Sequence, residues 1–449
     1  MIEFITLFLG LVAGPRMVEI AADQQIVAAV ELRLDGETVG RLEAPPWEFE
    51  VDFGLEIVPR RLAAVAYDAD QNQVGRVEQL LNVPRPPAEA NIVLLQDEEG
   101  QTEAARLSWE SSVGMDPLQV RARLDGREIP VDDPEKIELV GLSPQHLHFL
   151  QVELLFSTDV IAQAQIAFGG EHLDTTSAEL TGFPVVKEWK GSSPHPSSMH
   201  GWFYDRDEPL RVAAVDKGLS DVVIVRGPGV ASTVLDLEGA PFRPLAIGRV
   251  PYATGSSSAS PGERQRRALA LSKDSRLRVL IPRTKTTQGR RVEMESFAIS
   301  PEISPKQGGM LLVLSQEVIL PGLTPQVQVN DAVAVAGLQA ANGNRCRAVV
   351  LVLATPWEDA SRWDAPTVKR FLGSLNVPLY VWYLGDDASM AAPWGEAEPI
   401  ADYKDLARAV RNLEKDLDQQ RIVWLEGSHL PNSIRIADTA EAQAVAARP

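Results

Sequence analysis

The chain has 449 residues, 45% of them hydrophobic, with 43 Lys plus Arg against 62 Asp plus Glu and a net charge of −19. At roughly 100 to 200 residues per domain this length makes two to four domains, and so acidic a surface repels phosphate backbones and anionic lipid, which sets nucleic acid aside as a partner. A single cysteine, Cys346, excludes an internal disulfide and a thiolate zinc cluster.

The start, MIEFITLFLGLVAG, carries an apolar run from Ile5 to Ala13. The run is too short to span a bilayer and has the length of a signal-peptide core, with small residues at Val12 and Gly14 for a cleavage point. Residues 1–14 are therefore expected to be an export signal, although Glu3 stands where a basic residue is usual. The alternative is a first β-strand. No later stretch of 18 apolar residues follows, so no transmembrane helix is expected.

Residues 16–84 alternate apolar and polar with period two. AAVELRLDGETVGRL reads as strand, Asp35-Gly36 turn, strand, because Asp-Gly supplies the positive φ angles of a tight hairpin. RLAAVAYDADQNQVGRVEQLLNV is a second hairpin, and NVPRPPAEA a stiff linker. Residues 90–170 repeat the scheme: VRARLDGREIPV carries Leu-Asp-Gly again at 124–126, and LQVELLFSTDVIAQAQIAFGG parallels the last hairpin of the first unit. Two tandem Ig-like β-sandwiches are expected, with Trp47 as a core or strand-edge aromatic.

The pattern changes after about 175. A loop-rich stretch (185–220) precedes DVVIV (221–225), a continuous apolar run typical of a strand buried on both faces. PGERQRRALALSKD (261–274) reads as a helix after the insertion GSSSASPGE, and RLRVLIP (276–282) as a strand. NDAVAVAGLQAANGN (330–344) reads as a helix capped by Asn330 and stopped at Gly343. Then come RAVVLVLA (strand), APTVKRFLGSL (helix, with Asp364 as cap and Pro366 in its first turn), NVPLYVWYLG (strand), DYKDLARAVRNLEKDLDQQ (helix) and RIVWLEG (strand). This alternation predicts a Rossmann-like α/β domain over 175–449, its central sheet mostly parallel and covered on both faces.

In such a sheet ligands bind outside the carboxyl ends of the strands. The loops to watch are 226–233, 282–290, 354–364 and 384–395. Gly227-Pro228-Gly229 begins a glycine loop, but Ser232 stands at the sixth position and VLDLEGAPF reads as extended, so dinucleotide binding is not expected. Loop 354–364 offers Glu358 and Asp359 as hard oxygen donors for a metal, beside Trp357 and Trp363. His195 with His200, and His146 with His148, lack the partners of a zinc site. There is no nucleophile elbow, no phosphate loop and no recognisable pair of catalytic acids. No small-molecule cofactor and no enzymatic activity are expected.

NDAVAVAGLQAANGNRCRAVVLVLA resembles the middle helix and central strand of a von Willebrand factor A domain, of the bacterial type fused to β-sandwich modules. YKDLARAVRNLEKDLDQQRIVWLEG resembles that family's last helix and last strand, and SIRIA with Arg435 the short strand that follows; the likeness covers roughly 180–440. The resemblance implies a metal-ion-dependent adhesion site made of Asp-x-Ser-x-Ser after the first strand, a Thr before the middle helix and an Asp after the fourth strand. Aligned by strand ends, these positions hold Arg226, Pro228, Val230, Val327 (with Thr324 out of register) and Thr355. The expected function is therefore interaction with a protein partner, or scaffolding, outside the cytoplasm (periplasmic or secreted), through a domain that lacks the usual ligands. Trp357 and Trp363 are either the anchors of that surface or packing under the loop. The alternatives are a metal-dependent binding module with a displaced site at Glu358 and Asp359, and a hydrolase or transferase whose site has no recognised motif.

Overall fold

The computed structural model describes residues 2–8, 10–84, 88–97, 101–111, 116–143, 145–156, 160–170, 180–187, 189, 194–239, 269, 271–272, 275–282, 300, 303, 309–315, 326–385 and 387–445. The expected helix at 261–274, the insertion before it, loop 282–290 and Thr324 lie largely or wholly outside these residues.

Each N-terminal unit is a seven-stranded antiparallel sandwich. In the first, Ile2–Phe4, Pro15–Ala22 and Glu48–Asp52 face a sheet of Glu37–Leu42, Ala29–Leu34, Arg60–Tyr67 and Gln73–Leu81. In the second, Ala88–Gln96, Thr102–Ser111 and Ile137–Glu138 face Arg127–Ile129, Gln119–Leu124, His148–Leu155 and Ile161–Phe168 in the same strand order. Trp47 and Phe49 lie in the first core, Phe156 and Phe168 in the second.

The repeated Leu-Asp-Gly has one physical role in both units. Asp35 and Asp125 adopt φ of +54° and +51°, as a two-residue hairpin turn of this kind demands. One oxygen of each carboxylate then accepts from a backbone N–H of the strand alongside, that of Arg61 or Phe149, at 2.8 Å. The other oxygen meets the side chain just before, Arg60 Nη1 or His148 Nδ1, also at 2.8 Å. The turn residue thus sets the register of the neighbouring strand.

The N-terminal apolar run, expected as an export signal or a first strand, packs on the first sandwich in the full chain. Ile2–Phe4 pairs with Pro15–Ala22, and Ile2, Val12 and Ala13 are buried. Phe8 stacks edge-on against Phe53, and its N–H donates to Gln79 Oε1 at 2.8 Å. Asn82 accepts from the Val12 N–H at 2.7 Å and donates to the Val12 carbonyl at 2.9 Å. Length and hydropathy do not separate a signal core from an edge strand with its following turn.

The α/β unit holds a five-stranded, all-parallel sheet in the spatial order Ser275–Leu280, Ser220–Arg226, Cys346–Leu353, Leu379–Leu384, Glu398–Ile400. All eight residues of Cys346–Leu353 are buried, which is why the strand reads as unbroken apolar sequence from Ala348 on. Helices Val329–Ala341 and Ala365–Ser374 cover one face, and Val230–Asp236, Gly309–Ser315 and Tyr403–Asp418 the other. Gly337 lets the first two helices approach: a Cβ there would lie 2.8 Å from Leu372 Cδ1. Asp364 caps its helix as expected, accepting from the Thr367 N–H at 2.8 Å, whereas Val329–Ala341 begins one residue early with Gln328 at the cap. Asn330 is not a cap; it donates to the Trp363 carbonyl at 3.0 Å.

RIVWLEG does not join the parallel sheet. Gln420–Glu426 runs antiparallel between Leu180–Val186 and Val212–Asp216, with Gln443–Ala444 at the edge. Ile434–Ile436, within SIRIA, pairs with Phe203–Asp205. The apolar run in RIVWLEG marks a strand buried on both faces but not the sheet that buries it. Residues on both flanks of the parallel sheet therefore build a separate small β-layer with its own core of Phe183, Val185, Phe203, Val423 and Leu425.

Candidate functional site

At the carboxyl face of the parallel sheet two loops are locked together. Ser220–Arg226 turns at Gly227–Gly229 into the short helix Val230–Asp236, where an extended chain was expected. The β-branched content of VASTVLD hides the helix. Ser232 and Thr233 hydroxyls both donate to the Gly229 carbonyl, at 3.0 and 2.9 Å, and hold its first turn. Gly229 sits at φ +75°, and a Cβ there would come within 2.6 Å of the Thr355 side chain. Thr355 in turn donates to the Pro228 carbonyl from its N–H (3.3 Å) and from Oγ1 (3.0 Å).

Arg226 points inward. It is buried, and its Nη1 donates to the carbonyls of Val313 at 2.7 Å and Leu314 at 3.3 Å, in the last turn of Gly309–Ser315. A cation at a helix C-terminus meets unpaired carbonyls and the negative end of the helix dipole. Burial pulls its pKa below the usual arginine value. Val230 and Val327 are core residues. Of the five positions aligned with the adhesion motif, only Thr355 presents a side-chain oxygen. A divalent cation of the Mg²⁺ or Ca²⁺ type takes six or more oxygen ligands, and these residues do not fit one.

Glu358 and Asp359 are exposed and form a short strand beside Gln326–Val327; the Asp359 carboxylate accepts from the Ser361 N–H at 3.0 Å. Among the described residues no group of three His, Cys, Asp or Glu lies close enough to hold a metal. Trp357 is 9% exposed and packs in the core against Gly227. Trp363 is half-buried, with the Arg362 guanidinium 4.5 Å above its ring. Trp357 thus takes the packing role, and Trp363 alone of the two reaches the surface. His146 is exposed and His148 buried, while His195 caps the turn Pro196–Met199. Cys346 donates to the Lys217 carbonyl, and burial pushes its thiol up to about 12, the chemistry of an inert filler.

Asp331, which the sequence reading passed over, organises this face. It lies buried in the first turn of Val329–Ala341. Its carboxylate accepts from the N–H groups of Arg362 (3.1 and 3.0 Å) and Trp363 (3.2 Å), and its own N–H donates to Ser361 Oγ at 3.1 Å. Burial raises its pKa, partly opposed by those amides. The signal available was Asn-Asp at a helix start, which reads as a cap for its own helix rather than a clasp on a loop 30 residues on.

No family model matches the chain, and no curated protein matches it. Among solved structures it is similar to fibronectin(III)-like modules of CbhA from Clostridium thermocellum, at 21% identity over 18% of this chain and 93% of that one, TM-score 0.16. It is also similar to the central fibronectin-III array of RIM-binding protein, at 11% identity over 46% and 78%, TM-score 0.20. A third likeness is to proximal thread matrix protein 1 from the mussel byssus, with a zinc-occupied MIDAS motif, at 10% identity over 48% and 50%, TM-score 0.27. The match spans about half of the byssus protein. With TM-scores this low, the architecture rests on the sheet topology itself: Ig-like sandwiches followed by a Rossmann-like α/β unit.

Proposed function

We propose that this chain is a non-catalytic interaction or scaffolding protein, whose α/β unit is von Willebrand factor A-like and independent of metal and small-molecule cofactors. The observation that carries the reading is Arg226. Where the adhesion motif begins with a metal-binding aspartate, this chain has a guanidinium turned into the fold and bonded to the end of a helix. Asp331 and Thr355 are likewise spent on holding loops, and the described residues of the carboxyl face offer no convergent set of reactive groups. Such a face suits a protein partner, with Trp363 and Arg362 as its surface anchors. A location outside the cytoplasm belongs to the same proposal, with residues 1–14 retained as part of the first sandwich.

The test is thermal unfolding of the full chain in EDTA and then in millimolar Mg²⁺, Ca²⁺ or Mn²⁺. A ligand that binds only the native state raises the midpoint, so an unchanged midpoint is expected. A clear rise with one cation overturns the metal-independent reading in favour of a displaced site at Glu358 and Asp359.

A further inference from the structure

At the opposite, amino end of the parallel sheet, the second sandwich meets the α/β unit across a cluster of arginines. Glu153 of His148–Leu155 is shared between Arg276, at 2.6 Å, and Arg345, and it also accepts from Gln163 Nε2 at 2.7 Å. Asp221 is shared between Arg278, at 3.6 Å, and Arg345, at 3.8 Å. Among the described residues, two carboxylates are shared by these three guanidiniums. The next strand of the sandwich, Gln119–Leu124, adds two more. Arg121 donates to Gln119 Oε1 at 3.1 Å, and the side chain of Arg123, whose backbone lies in the ladder, makes no hydrogen bond or ion pair among the described residues. Asp216 is the third carboxylate on this wall. In a chain of net charge −19, the described residues here set five guanidiniums against three carboxylates.

Arg121, Arg123, Glu153, Gln163, Gln165 and Arg345 line a cavity of about 60 Å³. At about 15 Å³ per water-sized position that is room for roughly four such positions, the size of a tetrahedral oxyanion. Arg345 is 3% exposed, and its Nη1 has no hydrogen-bond partner. A buried N–H of that kind needs an acceptor. Burial, and after it repulsion from Arg123 and Arg121, pull its pKa down to about 9, and an anion between the three offsets that repulsion. Both oxygens of Glu153 are turned to the inner arginines, so Asp216 is the carboxylate that remains beside the guanidinium and amide donors of the cavity. The cavity shares Gln163, Gln165, Gly343 and Asn344 with a larger cleft of about 420 Å³, whose walls include Leu80, Ile161, Phe183 and Leu375. Gly343 adopts φ +92°, and a Cβ there would press to 3.0 Å on Gln163 Oε1, so the glycine keeps the passage open.

We propose that Arg121, Arg123 and Arg345 form a binding site for a tetrahedral oxyanion, either inorganic phosphate or the phosphate of a monoester whose apolar group occupies the adjoining cleft. Planar guanidiniums suit such oxygens because they donate in pairs.

The experiment is thermal unfolding and titration calorimetry of the full chain with inorganic phosphate and with phenyl phosphate, chloride replacing them at constant ionic strength. At 10 mM inorganic phosphate the midpoint should rise by about 2 °C or more, as it must for a ligand bound only to the native state. Arg123→Gln removes a side chain that holds no structural bond, so it should keep the phosphate-free midpoint and lose the rise; Arg121→Gln should weaken it. Tighter binding of phenyl phosphate assigns the site to an ester, and equal binding assigns it to the free anion. No rise with either compound, or an equal rise in Arg123→Gln, overturns the proposal.

Discussion

Asn82 decides whether the start of the chain belongs to the first sandwich. It is 6% exposed, sits at φ +57°, accepts from the Val12 N–H and donates to the carbonyls of Val12 (2.9 Å) and Val58 (2.8 Å). Asn82→Gly keeps the left-handed backbone accessible and removes all three bonds. Each buried polar group left without a partner costs about 1–3 kcal/mol, so the lower bound for three is about 3 kcal/mol, roughly a 150-fold change in the opening equilibrium. Hydrogen exchange read by mass spectrometry on the full chain measures this locally. Amides of Arg60–Tyr67 should exchange about 100-fold faster in the variant, while those of Cys346–Leu353 stay unchanged. An acceleration below about five-fold in Arg60–Tyr67 would refute the reasoning. It would mean that residues 1–14 hang free of the sandwich, as a leader would.

Two further outcomes follow from the α/β unit. Gly337→Val drives a side chain into Leu372 and should lose about 1–3 kcal/mol in urea unfolding; adding Leu372→Ala should recover part of it, and strict additivity of the two losses would remove the close-packing argument. Asp331 has its folded pKa raised above the ordinary 3.8 by burial. A carboxyl raised in this way favours the fold when neutral, so its contribution is present below the unfolded value and is lost as pH climbs from there through the raised value. Asp331→Asn should therefore gain on the parent protein as pH rises from about 3.8, and a stability difference that is flat with pH contradicts that assignment.

Much of the architecture was legible because it is written locally. The Asp-Gly turns, the repeat of Leu-Asp-Gly at 34–36 and 124–126, and the apolar runs at 221–225 and 348–353 each state a strand or turn within ten residues. The cap at Asp364 did the same for a helix. What was missed depends on partners far along the chain. Nothing near RIVWLEG says that its neighbours are Leu180–Val186 and Val212–Asp216. Glu153 and Arg345 come from different units, each with an ordinary local context. Asp331 looked like helix-start chemistry, and only the fold shows its carboxylate gripping the 362–363 backbone. Around the candidate site, sequence reasoning pointed to loops 226–233 and 354–364 and left Trp357 as either an anchor or packing under the loop. The structure has that ring packed, since a Trp following a buried strand has a core to fill.

The β-layer assembled from both flanks of the parallel sheet also sets a timetable for synthesis. Thr181 Oγ1 donates to the Gly427 carbonyl across 246 residues of sequence. At roughly 5–20 residues per second, the ribosome takes about 10 to 50 s to deliver the second half of that pairing. Throughout that interval Phe183, Pro184, Val185 and Val186, all buried in the finished protein, form an apolar strand with neither neighbour present. A chain stopped before Gln420 keeps that strand open indefinitely, an edge on which copies of the chain aggregate. Expression fragments that keep residues 180–186 but end before 420 are accordingly the ones to find in inclusion bodies.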